Sequence, residues 1–125
     1  MDMNTVERDD IARALDAMSN MVYQVNLANG WFEDERTVGD DIALLHSEAS
    51  EMLEAYRDGG LADQTQERAE SGSPPKPEGF GSEAADVLIR LLDTCLRRDV
   101  DLAWEFGRKL EYNATRGNRH GGKLL

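Results

Sequence analysis

The chain has 125 residues, 40% of them hydrophobic and 31% charged, which is material for one modest core and points to a single domain over 1–125. Its formal net charge of −11 excludes general affinity for nucleic-acid backbones, which need a basic surface. The longest apolar runs, such as Val87-Leu88-Ile89, are far too short to span a bilayer, so no membrane partner is expected. Cys95 is the one cysteine and has no internal disulfide partner. Met1-Asp2-Met3-Asn4 lacks the basic-then-apolar order of a signal peptide, so the expected location is cytoplasmic.

Ile11, Leu15, Met18, Val22 and Val25 recur at three- and four-residue steps and predict a first helix over about 5–29, ended by Asn29-Gly30. Trp31 to Arg36 forms a connector whose aromatics either close over the core or stack on a ligand, which makes Trp31 a candidate base contact. A second helix is expected over about 39–57, stopping at Asp58-Gly59-Gly60. On a helical wheel Leu44, Leu45, Glu48, Ala49, Met52 and Tyr56 share one arc, with Glu51 at its edge and Glu54 outside it. Glu48 therefore falls within the face expected to be buried, where an unpaired carboxylate is costly.

Residues 59–80 carry all three prolines and several glycines and predict a long Gly/Pro-rich loop without regular structure. A third helix is expected over about 82–98, with Ser82 as its N-cap. Val87, Leu88, Ile89, Leu91, Leu92, Cys95 and Leu96 wrap most of its circumference, leaving a narrow strip of Glu83, Asp86, Arg90, Asp93 and Arg97. A helix apolar on two sides is expected to pack against its own domain and against a second subunit. A fourth helix over about 101–115 buries Leu102, Ala103, Phe106 and Leu110, with Lys109, Asn113 and Arg116 lined up beside that stripe; Trp104 is expected in the core or an interface. The glycine-rich basic segment 117–125 reads as a flexible tail. No period-two pattern persists anywhere, so the fold class is all-α, a four-helix bundle.

The chemistry concentrates in two carboxylate pairs, Glu48-Ala49-Ser50-Glu51 and Glu83-Ala84-Ala85-Asp86. Residues at i and i+3 share a helix face, so each helix offers two acidic groups in one direction. Four carboxylates brought together repel one another unless a cation lies among them, and an all-oxygen donor set suits Mg²⁺. Zinc would call for cysteine and histidine ligands, and a di-iron bundle for Glu-x-x-His motifs. The two histidines, His46 and His120, supply neither, and His46 points away from the carboxylate arc.

The order Glu-x-x-Glu, loop, Glu-x-x-Asp, followed by a Lys/Asn/Arg face, resembles the MazG-like nucleotide pyrophosphohydrolases of the all-α NTP pyrophosphatase superfamily. The likeness is carried by residues 40–51, 83–87 and 109–116 and extends to the Arg119-His120-Gly121-Gly122-Lys123 tail, which is similar to small phage and actinobacterial members. It implies Mg²⁺-dependent cleavage of a nucleoside triphosphate between its α and β phosphates, with Mn²⁺ as a substitute metal, in nucleotide-pool house-cleaning. It also implies metal ligation by Glu48, Glu51, Glu83 and Asp86. Glu51 is the candidate general base, Lys109, Asn113 and Arg116 the phosphate or nucleotide contacts, and a homodimer or homotetramer the expected assembly. The 59–80 loop is longer than most members show. The competing reading is a catalytically silent helical module that binds a nucleotide or mediates dimerisation.

Overall fold

The computed structural model describes residues 2–61, 66–68 and 74–117. Four helices dominate: α1 (Thr5–Ala28), α2 (Val38–Gly59), α3 (Phe80–Arg97) and α4 (Leu102–Thr115). Two helix starts are fixed by reciprocal capping boxes. Asn4 accepts from the Glu7 amide while Glu7 accepts from that of Asn4, and Thr37 and Asp40 do the same at α2. Asp101 caps α4 by accepting from the Trp104 amide at 3.0 Å. Among the described residues no helix is long and apolar enough to cross a membrane.

The helix expected to begin at Ser82 begins two residues earlier. Gly79, at φ 99°, turns the chain into α3, and the Ser82 hydroxyl instead donates to the Pro77 carbonyl at 3.2 Å. That bond belongs to a second departure from expectation. The Gly/Pro-rich segment is not wholly irregular, because β1 (Gln66–Arg68) pairs antiparallel with β2 (Lys76–Glu78), Arg68 opposite Lys76 and Gln66 opposite Glu78. In a two-stranded ribbon both strands are edges, which is why Pro77 is tolerated there. Periodicity cannot report a strand of three residues.

Packing proceeds in the order α2–α3–α1–α4, with β2 resting on α3. Asp41 faces Arg97 and Glu48 faces Arg90, so α2 and α3 run antiparallel. At the other end α4 approaches α1 closely at Gly107, where a Cβ would meet the Met3 side chain at 3.2 Å. The Met3 amide donates to Glu111 at 2.8 Å, and Arg8 ion-pairs with the same carboxylate.

The interior is unusually polar. Leu92 (2% exposed) and Met3 are the buried hydrophobic residues among those described, whereas Asp41 (3%), Asp93 (4%) and Asn26 are buried too. The expected α2 arc is therefore displaced. Asp41, Leu44, Leu45, Glu48, Met52 and Ala55 form the inward stripe, while Ala49 and Tyr56 are exposed. Trp104, expected in the core or an interface, stands half-exposed beneath the Arg108 guanidinium at 4.4 Å. Cys95 is partly buried, and burial pushes its thiol above the usual range, as befits a small packing residue.

Candidate metal and phosphate site

Glu48 from the middle of α2 meets Glu83 and Asp86 from the first turns of α3. Each of the three offers a carboxylate oxygen within 4.8 Å of the others, and all three are partly buried. The electrostatic cost is visible within the trio and beside it. Burial raises the Asp86 carboxyl above its ordinary value, the Glu48 charge raises it further, and Arg90 and Lys76 offset part of this. Glu51 is exposed and stands outside the trio, yet its hydrogen bond to Glu48 and the charges of Glu48 and Glu83 raise it as well. All four carboxylates singled out in the sequence thus interact, three as a cluster and Glu51 at its rim. One Glu83 oxygen, Oε2, is buried without a hydrogen-bond partner, a state that a bound cation would relieve.

Glu48 is also held from the side. Arg90 Nε donates to its Oε1 at 3.2 Å, with the two side chains 18% and 14% exposed. The same guanidinium lies 4.1 Å from the Trp31 ring centroid, and that of Arg36 lies at 5.1 Å. Trp31 is therefore engaged by two cations of its own chain, which places it as a cover over the α2–α3 seam. Phe32 stacks on Tyr23 with ring centroids 5.2 Å apart.

Beyond Trp31 the seam continues as an ionic network. Asp41 accepts from Arg36 Nε at 3.0 Å, Arg97 Nη2 at 2.7 Å and Arg98 Nη2 at 2.8 Å. Asp93 accepts from Asn26 at 3.1 Å and from Arg97 Nε at 3.0 Å. Burial acts to lower the Arg97 guanidinium, and its bonds to Asp93 and Asp41 outweigh this and raise it. The polar strip seen on α3 is thus the face turned to α2, with its acidic cluster at one end and its guanidinium cluster at the other.

A cavity of about 490 Å³ opens beside the acidic cluster, lined among the described residues by Glu51, Glu54, Asp58, Glu78 and Glu83, by backbone at Gly59 and Gly79, and by one cation, Lys76. Lys76 gave no signal in the sequence, since it lies in the segment expected to be structureless. Its position follows from β2 resting on α3 and from the Gly79 carbonyl accepting from the Glu83 amide at 3.1 Å.

The expected phosphate contacts of α4 lie elsewhere in the chain. Lys109 and Asn113 line a separate hollow with Leu102, Glu105, Phe106 and Leu110, and Lys109 and Arg116 each approach the Tyr112 ring at 5.8 Å. α4 packs chiefly on α1, at the opposite end of the helix row from α2, so one chain does not bring these three residues to the acidic cluster. The Arg119 to Lys123 tail lies outside the described residues. Comparisons with protein-family models, with curated proteins and with solved structures found no match.

Proposed function

We propose that the chain is a Mg²⁺-dependent nucleoside triphosphate pyrophosphohydrolase of the MazG-like type, releasing monophosphate and pyrophosphate. The observation that carries this reading is the convergence of Glu48, Glu83 and Asp86 from two antiparallel helices at the edge of a cavity with room for a phosphate chain. The donor set fits the metal, being all carboxylate oxygen and including the buried, unpartnered Glu83 Oε2. When bound there, Mg²⁺ or Mn²⁺ would screen phosphate charge and acidify a water for in-line attack. Glu48, Glu83 and Asp86 hold the ion, and Arg90 fixes the orientation of Glu48. Glu51, lining the cavity from outside the trio, would be placed to accept a proton from the attacking water.

The reading includes assembly into a homodimer or homotetramer. Leu88, Ile89 and Leu91 on α3, and Phe106 and Leu110 on α4, remain between about a third and a half exposed, which leaves apolar surface that a second copy would cover. In such an assembly Lys109, Asn113 and Arg116 meet the phosphates bound by another copy.

The test is a turnover screen over canonical and modified NTPs and dNTPs, with Mg²⁺ or with EDTA, and chromatographic identification of products. Metal-dependent monophosphate plus pyrophosphate supports the reading. A nucleotide-dependent rise in Tm without any turnover assigns the chain to the silent binding modules instead.

A further inference from the structure

We propose that Lys76, carried by the β1–β2 hairpin, is the residue through which this site grips the phosphate chain of its ligand. The inference rests on the hydrolase reading for the identity of the ligand and adds a contact that the four-carboxylate pattern does not contain.

Five carboxylates line the cavity, and one of them, Glu83, forms the acidic trio with Glu48 and Asp86. A polyanionic ligand entering this space is attracted by metal and repelled by every carboxylate that the metal leaves unneutralised. It therefore needs a cation of the protein beside that space. Among the described residues lining the cavity, Lys76 alone carries a positive charge.

Placement supports the same assignment. An ammonium on an irregular loop would have to be ordered by the ligand, at an entropic cost. Lys76 instead lies on a paired strand, opposite Arg68, two residues before the Glu78-Gly79 corner that enters α3. The bonds from the Ser82 hydroxyl to the Pro77 carbonyl and from the Glu83 amide to the Gly79 carbonyl bind that corner to the turn bearing Glu83. The lysine and the Glu83 carboxylate are thus positioned by one continuous piece of hydrogen-bonded backbone. Lysine suits the role because its ammonium is a compact, strongly hydrated charge with three donors on a flexible stem, able to follow a phosphate as it shifts.

The experiment compares wild-type protein with Lys76→Met and Lys76→Arg, using calorimetric titration with Mn²⁺ alone, then with tripolyphosphate in saturating Mn²⁺, and steady-state turnover of the substrate found in the screen. Lys76→Met is expected to weaken tripolyphosphate binding and raise KM about tenfold, the worth of one charge-assisted contact. Lys76→Arg should recover most of that loss, with no weakening of Mn²⁺ alone. An unchanged tripolyphosphate Kd in Lys76→Met overturns the assignment. So does a tightened Mn²⁺ Kd with no change toward tripolyphosphate, which would make Lys76 a counter-ion of the empty cluster. Wild-type turnover with an unaffected Lys76→Met leaves the hydrolase reading standing and removes Lys76 from it. Tripolyphosphate binding that depends on Lys76 in a protein without turnover does the reverse. Wild-type protein that takes up neither Mn²⁺ nor tripolyphosphate overturns both.

Discussion

Replacing Asp41 with asparagine keeps the shape of the side chain and removes the charge at the centre of the guanidinium cluster. The carboxylate is 3% exposed and accepts three bonds of 2.7 to 3.0 Å from Arg36, Arg97 and Arg98, whose side chains are 18%, 15% and 26% exposed. Removing one member of a buried ion pair typically costs about 3–5 kcal/mol, because the partner charge is left desolvated. Here the three arginines retain some access to water and Asp93 remains, so the lower end applies, about 3 kcal/mol. For a chain of this length each kcal/mol moves Tm by about 4 °C, giving a fall of about 12 °C. Scanning calorimetry with a second probe, circular dichroism, measures it. The control is Asp10→Asn, whose pair with Arg13 is well exposed on both sides, and whose loss should leave Tm unchanged. A fall below about 3 °C for Asp41→Asn would refute the claim that this network, rather than apolar packing, joins α2 to α3.

Glu48→Gln and Asp86→Asn should each abolish Mg²⁺-dependent turnover while the helical circular-dichroism signal persists; near-wild-type rates from either would sink the metal-site assignment. Mixing inactive Glu48→Gln with Arg116→Ala should restore turnover above that of either alone, whereas an absence of complementation would remove α4 from a shared site. Because the Asp86 carboxyl is raised above its ordinary 3.8, the folded state holds the extra proton between the two values. Its favourable contribution is thus present at low pH and lost as pH rises through the folded value. The Tm advantage of metal-free wild type over Asp86→Asn should shrink as pH goes from about 4 to about 6, and a flat difference would contradict the burial assigned to this carboxyl. Trp31→Ala should cost about 2 kcal/mol of stability, from its two cation–π contacts and lost burial, without moving KM. A raised KM at unchanged Tm would return Trp31 to base recognition.

The helices were legible because they are long and strongly periodic, but their caps were not: the one cap expected, Ser82, gives way to Gly79, and those at Asn4, Thr37 and Asp101 went unread. The carboxylate trio was legible for a related reason, since i, i+3 spacing within a helix survives into three dimensions unchanged. Relations between helices were harder. Asp41 lies seven residues before Glu48, and Asp93 and Arg97 continue the strip from Asp86 and Arg90, so the pattern of the seam was present. Only the antiparallel pairing of α2 with α3 shows that these two polar stripes face each other. The distance of α4 from the acidic cluster depends on packing order, which periodicity does not encode. Lys76 depends on a three-residue strand, too short for any pattern, and on the Gly79 corner that sets its direction.

The alternation of charge along α3 has a consequence for how this fold finds its alignment. The apolar residues on the inward stripe of α2, Leu44, Leu45 and Met52, are only partly buried, and smooth apolar surfaces would in any case tolerate sliding by a helical turn of about 5.4 Å. Charges do not. In the observed register Asp41 opposes Arg97 and Glu48 opposes Arg90. A slip of one turn in one direction would bring Asp41 opposite Asp93, setting like against like in a partly dry seam, and would take Glu48 away from Arg90. The strip thus works as a key whose teeth accept one setting, and that setting is the one that seats Glu48 between Glu83 and Asp86.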